Sequence, residues 1–89
     1  MQIKLHHNAQ KYLDRLPATA RNRIQAAFDG LSENPPKGDI RPYIGTENAW
    51  RLKVKDFRVI YIRDMDVIVV TYIEPRGQAY TRKTRNKRG

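Results

Sequence analysis

One stretch of the sequence decides the fold: Trp-Arg-Leu-Lys-Val-Lys-Asp-Phe-Arg-Val-Ile-Tyr, residues 50–61. Apolar and basic residues alternate in its first half, and β-branched and aromatic residues dominate its second half, a pattern typical of two β-strands. A two-residue loop at Lys55-Asp56 would join the strands into an antiparallel hairpin in which Lys53 faces Arg58. A loop longer by two residues would leave the same side chains on each face.

The alternation predicts one apolar face and one basic face for this hairpin. The apolar face holds Leu52, Val54, Phe57 and Val59, and the basic face holds Arg51, Lys53, Lys55 and Arg58. Like charges directly across a strand pair destabilise a sheet unless something anionic sits over them. The basic face is therefore either a solvated outer surface or a surface for a polyanion, and the pattern leaves both interpretations open.

The composition indicates one small, basic domain. Its 89 residues include 18 Lys and Arg against 9 Asp and Glu, which leaves a formal charge of +9. Such an excess favours a polyanionic partner: nucleic acid, an acidic protein, or each in turn. The sequence has no cysteine, so we expect a reducing, cytoplasmic setting without disulfides. No apolar run is typical of a membrane span or a signal peptide.

The N-terminal half predicts a strand followed by two helices. Residues 1–7 alternate weakly, as in a short strand. Helical spacing of apolar residues then predicts a first helix that is capped by Asn8 and runs to Leu16. A second helix begins near Ala18 or Thr19 and is stopped by Asn34-Pro35-Pro36. Because the link is so short, the two helices should form an antiparallel hairpin.

The C-terminal half predicts the rest of the sheet. An irregular segment, residues 35–48, leads to Trp50, which either packs at the core edge or binds a base. After a turn at residues 64–66, residues 67–73 have apolar side chains at both odd and even positions. Such a pattern is typical of a central strand that is covered on both faces. We therefore expect an α+β fold, with an N-terminal strand and an antiparallel helical hairpin on one face of a small antiparallel sheet. One domain spans residues 1–80, and a basic tail spans residues 81–89.

The sequence lacks the motifs of most catalytic sites. It has no Gly-rich phosphate loop, no Ser/His/Asp set and no metal-ligand spacing, so we expect neither a metal nor a cofactor. Any chemistry must rest on Lys, Arg, Tyr or a lone carboxylate. That inventory suits cleavage of RNA by its own 2′-hydroxyl, because fixed cations can stabilise the extra negative charge of the phosphorane.

Four segments resemble the RelE/ParE superfamily of bacterial toxins from toxin–antitoxin modules, and especially its RelE-type mRNA interferases. They are residues 12–17 (YLDRLP), 34–40 (NPPKGDI), 50–61 and 75–80 (PRGQAY). The match covers nearly the whole chain in order. It implies helices on one sheet face and RNA on the other. It also implies an endoribonuclease that cuts mRNA in the ribosomal A site, with an acidic antitoxin as cognate partner.

The resemblance further implies which side chains act at the scissile phosphate. They are Arg51, Lys53, Arg58, Arg76 and Tyr80, with Lys53, Arg58, Arg76 and Tyr80 as the catalytic set. Lys53 is a better general base than Arg51, which stands where relatives often have lysine, because an arginine stays charged. Glu47 and Glu74 remain alternative bases. Further RNA contacts are expected from the other cations of the hairpin and tail, namely Arg51, Lys55, Arg82, Lys83 and Arg85.

Two other functions remain compatible with the sequence. A ParE-like toxin that inhibits DNA gyrase by binding would share the fold, but that branch generally lacks this set of residues. Lys53, Arg58, Arg76 and Tyr80 therefore favour the RelE-like function. A non-catalytic nucleic-acid-binding domain would use the same basic face to bind without cleaving.

Overall fold

The computed structural model of the chain describes residues 2–44 and 47–75. Its elements in chain order are β1 (Gln2–Leu5), α1 (His7–Arg15), α2 (Ala18–Leu31), β2 (Asp39–Pro42), β3 (Ala49–Val54), β4 (Phe57–Asp64) and β5 (Val67–Pro75). The strands form one sheet in the order β1-β5-β4-β3-β2. The expected α+β class is confirmed. Within the described ranges, neither helix is long and apolar enough to cross a membrane.

The sheet is mixed rather than wholly antiparallel. Strands β2 to β5 form the expected antiparallel meander, whereas β1 pairs in parallel with β5. The connection between β1 and β2 is long, because β1 lies at one edge of the sheet and β2 at the other. The helical hairpin carries the chain between these two edges, so β1 is not joined to its neighbour by a tight turn.

The central hairpin has the predicted register. Lys53 lies directly opposite Arg58, and the loop consists of Lys55 and Asp56 alone, the shorter of the two alternatives. Lys55 has φ 53°, and Met65 in the β4–β5 turn has φ 56°. Tight hairpin turns require a left-handed residue at this place, where glycine or asparagine is more usual.

The helices bury one face of the sheet. The core consists of Ala9, Leu13, Ile24, Phe28, Leu31, Leu52, Val54, Val59, Tyr61, Ile68, Val70 and Ile73. These residues include part of the apolar stripe of each helix and most of the apolar face of the hairpin. Phe57 and Trp50 pack against this core from its margin. Of the two roles predicted for Trp50, the structure shows packing at the core edge.

The first helix begins differently from the prediction. It starts at His7, and the N-cap is His6 instead of Asn8. The Nδ1 of His6 accepts a hydrogen bond from the backbone N–H of Asn8 at 3.1 Å, which satisfies one donor of the first helical turn. At the other end, Leu16 is the C-cap, and its carbonyl accepts a 2.9 Å hydrogen bond from Arg21 of α2.

Strand β5 is covered on one face only, so the expectation of two covered faces was wrong. Tyr72 is 53% exposed, whereas Val70 and Ile73 are buried. A bulge explains why Val70 and Ile73 are both buried although they are three residues apart: Ile60 faces Tyr72 and Tyr61 faces Val70, which leaves an extra residue in β5. The strand changes its inward-facing parity at this point.

Candidate nucleic-acid interface

The sheet face opposite the helices, which we call the open face, carries the predicted cations. Arg51 and Lys53 alternate along β3 with the buried Leu52, and Arg58 lies across from Lys53 on β4. All three cations are half-buried. Lys55 is exposed in the turn at the end of the hairpin, beyond the strands themselves.

A charged row runs across the open face through four strands. In spatial order it consists of Asp39 on β2, Lys53 on β3, Arg58 on β4 and Glu74 on β5. The like-charge pair is therefore flanked by a carboxylate on each side. These carboxylates offset part of the repulsion between Lys53 and Arg58. The hairpin's like-charge pair thus has anionic neighbours within the sheet itself.

Arg58 and Glu74 form the most enclosed ion pair on this face. Arg58 Nε lies 4.0 Å from Glu74 Oε2, with the two side chains 31% and 27% exposed. Nε is buried and has no hydrogen-bond partner among residues 2–44 and 47–75, because 4.0 Å is too long for a hydrogen bond. An arginine carries five N–H donors in a planar fork, so this pairing leaves donors of Arg58 for an incoming phosphate.

A second row shows where the charged surface gives way to an apolar one. It runs from Arg41 through Arg51 and Ile60 to Tyr72. Arg41 is exposed and forms a long ion pair with Asp39, 3.7 Å from Nε to Oδ1. Arg41 thus adds a cation to the open face that the sequence prediction missed. The available signal was the polar-apolar-polar pattern around Ile40, which marks a short strand.

Glu74 also influences the first helix. Burial raises the pKa of Tyr12, and the negative charge of Glu74 raises it further. The Tyr12 ring meets Phe57 edge-on, with centroids 6.4 Å apart. Glu74 therefore lies within electrostatic reach of both Arg58 on the open face and the phenol of Tyr12 on α1.

The predicted site residues divide into three groups. Arg51, Lys53 and Arg58 are brought together on the open face, and Lys55 is in the adjoining turn. The remaining predicted residues lie outside the described ranges, so their roles stay predictions: Arg76, Tyr80, Arg82, Lys83 and Arg85. Of the two alternative bases, Glu74 lies beside Arg58, whereas Glu47 is exposed just before β3.

The described residues do not contain a group of three or more His, Cys, Asp or Glu side chains able to hold a metal ion. The open face instead offers cations and hydrogen-bond donors. Fixed cations of this kind can bind phosphates and stabilise negative charge that develops on them.

Comparison with known proteins connects this geometry to a family. The model for the ParE toxin of the type II toxin–antitoxin system parDE matches residues 3–80. A candidate toxin named RelE1 from Methanocaldococcus jannaschii is 28% identical over 83 residues, which cover 88% of this chain and 92% of that protein.

Solved structures show the same fold. A chain of the archaeal RelE–RelB complex from Pyrococcus horikoshii OT3 is 30% identical, with a TM-score of 0.72 over 85% of this chain and 94% of that one. The isolated E. coli RelE toxin is 16% identical, with a TM-score of 0.72 over 96% of both chains. At 16% identity the second likeness concerns the fold alone.

Proposed function

Because the chain belongs to the ParE/RelE family of toxins from type II toxin–antitoxin modules, we propose that it is an endoribonuclease that cleaves mRNA on the ribosome. The observation that carries this proposal is the open face, where Arg51, Lys53 and Arg58 occupy neighbouring positions on two paired strands. Cations on an open sheet face can follow the backbone of a single-stranded nucleic acid. The two similar proteins with at least 28% identity carry RelE in their names, which supports the RelE-like branch that the sequence resembles and, with it, RNA as the substrate.

The proposed reaction uses the 2′-hydroxyl of the RNA as its nucleophile. The 2′-oxygen attacks the adjacent phosphorus, and the bond from phosphorus to the 5′-oxygen breaks as that oxygen takes up a proton. Lys53 assists removal of the 2′-hydroxyl proton, and Arg51 and Arg58 stabilise the charge of the phosphorane. Arg76 and Tyr80 complete the proposed catalytic set. No metal ion or cofactor takes part.

The products test this chemistry directly. Purified protein is incubated with ribosome-bound mRNA, and the cuts are mapped at nucleotide resolution. We expect a 5′-hydroxyl on one fragment and a 2′,3′-cyclic phosphate, or its opened 3′-phosphate, on the other. Cleavage should persist in EDTA wherever the substrate tolerates the loss of magnesium. A 2′-O-methyl group just 5′ of the scissile phosphate should block cutting but allow binding, whereas a 5′-phosphate product would reject the mechanism.

The matching family model is named for the ParE toxin, which keeps open the ParE-like alternative, inhibition of DNA gyrase by binding, as a second candidate function. Lys53 distinguishes the two functions, because the proposed ribonuclease requires this side chain for its chemistry. A gyrase inhibitor would block DNA supercoiling in a purified assay and leave mRNA intact. A protein that binds RNA without cutting it would instead be a simple nucleic-acid-binding domain.

The second proposed partner is an acidic antitoxin. RelE–RelB complexes are among the structures that the chain resembles, and a charge of +9 favours rapid capture of an acidic chain. Isolation of the protein from its native cells should recover a short acidic protein, and the association rate should fall as salt screens the charges. Recovery of nucleic acid alone would count against this partner.

A further inference from the structure

A shallow pocket opens beside the cations of the open face. Its lining residues are Tyr43, Ala49, Ile60, Ile62, Thr71 and Tyr72, and its volume is about 200 Å³. Ala49 and Ile60 form its floor, since they are only 5% and 4% exposed although the helices cover the other face. Tyr72 forms a wall and is 53% exposed.

The walls of this pocket are fixed by the backbone. The N–H of Tyr43 donates a 2.9 Å hydrogen bond to the carbonyl of Ala49, which ties the segment after β2 to the start of β3. On the other side, the bulge places Thr71 opposite β4, and its hydroxyl donates to the carbonyl of Ile60 at 3.2 Å. Bulges commonly re-aim side chains next to functional sites.

The pocket and the cations are close enough to engage one nucleotide. Ile60 lies directly between Arg51 on β3 and Tyr72 on β5. Arg58 precedes Ile60 by two residues on the same face, a spacing of about 7 Å along a strand. A phosphate held by Arg51 or Arg58 would therefore leave its own base within reach of Tyr72.

We propose that this pocket binds one unstacked nucleobase of the RNA substrate, with the ring of Tyr72 stacked against it. This assignment rests on the proposed ribonuclease function. The volume of the pocket lies below the roughly 300–1,000 Å³ of pockets that enclose whole small molecules, so the pocket suits a single ring system. The adjacent cations favour a polyanion over an apolar peptide. The mostly apolar lining selects a flat shape rather than one hydrogen-bonding pattern, so the pocket accepts several bases.

Methyl NMR on the full-length protein tests the pocket. The probe is a trinucleotide with 2′-O-methyl groups, which cannot be cut by the proposed mechanism, beside three versions that each lack one base. We expect the intact trinucleotide to shift the methyl signals of Ile60 and Ile62. Loss of the base at one position alone should abolish these shifts and weaken binding about tenfold, the order expected for one stacked base.

Variants of Tyr72 test the stacking itself. Tyr72→Phe keeps the ring and should bind the trinucleotide like wild type, whereas Tyr72→Ala should bind about tenfold more weakly. Met65→Ala is the control, because Met65 is an apolar residue that is 89% exposed at the β4–β5 turn; it should leave the affinity unchanged.

Three outcomes would overturn the pocket. Methyl shifts that survive removal of every base in turn, in a protein that still binds and cleaves RNA, would reject the pocket and leave the ribonuclease function standing. Shifts produced by an acidic antitoxin but not by RNA would assign the pocket to a protein partner. A protein that neither binds nor cuts RNA would overturn the proposed function together with the pocket.

Discussion

Arg58 and Glu74 face each other across β4 and β5, with Nε 4.0 Å from Oε2. The arginine of the basic hairpin is therefore held beside a carboxylate. This contact has two opposite effects on a phosphate that approaches Arg58: Glu74 restricts the orientation of the guanidinium, and its charge repels the phosphate. Because the pair is only partly enclosed, the repulsion is weakened by solvent but not removed.

Glu74→Gln separates these effects, since it keeps the shape and removes the charge. We expect a 2′-O-methylated RNA to bind a few-fold more tightly at low salt, because the removal of one nearby unit charge changes the electrostatic energy by about 1 kcal/mol even in water. The gain should shrink as salt rises. Glu33→Gln is the matched control, because Glu33 pairs with Lys37 just beyond α2 and should change affinity less. Weaker binding by Glu74→Gln would mean that orientation of Arg58 is the larger effect.

Neighbouring residues of β3 should separate activity from stability. Lys53→Ala should abolish cleavage with little change in the free energy of unfolding. Leu52→Ala should cost about 2–5 kcal/mol, because Leu52 is fully buried and its loss leaves a cavity. Urea unfolding and the mRNA cleavage assay measure the two effects. Unfolding of the Lys53 variant would make that lysine structural and would remove the main support for the site.

The hairpin could be predicted because its register has only one good solution. A slip by one residue would move Leu52 to the solvent side and bring Arg51 to the core. Strand β2 was harder to predict, since Ile40 is the one clearly apolar residue among its four. The carboxylate of Asp39 beside Lys53 was therefore missed.

The position of Glu74 depends on the bulge in β5, which the sequence pattern does not predict. Without the bulge, the pairing at the β4–β5 turn would continue unchanged and place Ile73 opposite Arg58. The extra residue shifts the register by one, so Glu74 faces Arg58 and Ile73 turns into the core. Alternation alone predicts the apolar character of β5, but the bulge decides which of its side chains reach the open face.

High pH should destabilise the fold through the buried Tyr61 and the half-buried Tyr12. Burial raises the pKa of Tyr61, an effect that Arg63 partly offsets, and burial also raises that of Tyr12. In the unfolded chain a tyrosine loses its proton near pH 10, before the folded protein does, so stability should fall as pH rises above about 10. Urea unfolding from about pH 8 to pH 11 should show a smaller fall for Tyr61→Phe. Tyr72→Phe, at an exposed ring, is the control, and an equal fall in both variants would exclude Tyr61 as the cause.

Gly38 fixes the strand that brings Asp39 to Lys53. Its φ is 133°, a conformation that a residue with a side chain rarely adopts, and an added Cβ would lie 2.7 Å from Cδ1 of Leu52. Leu52 is buried and has little room to move. We expect Gly38→Ala to cost about 1–3 kcal/mol of stability and to displace β2 from β3.

The matched variant for Gly38→Ala is Asp39→Asn, which removes the carboxylate charge beside Lys53 and keeps the backbone. It should raise RNA affinity a few-fold, on the order expected for one nearby charge, and leave stability nearly unchanged. Gly38→Ala should show the same gain in affinity only if β2 moves Asp39 away from Lys53, and it should then also lose stability. A Gly38→Ala protein as stable as wild type, with unchanged RNA affinity, would show that this glycine does not determine the position of β2.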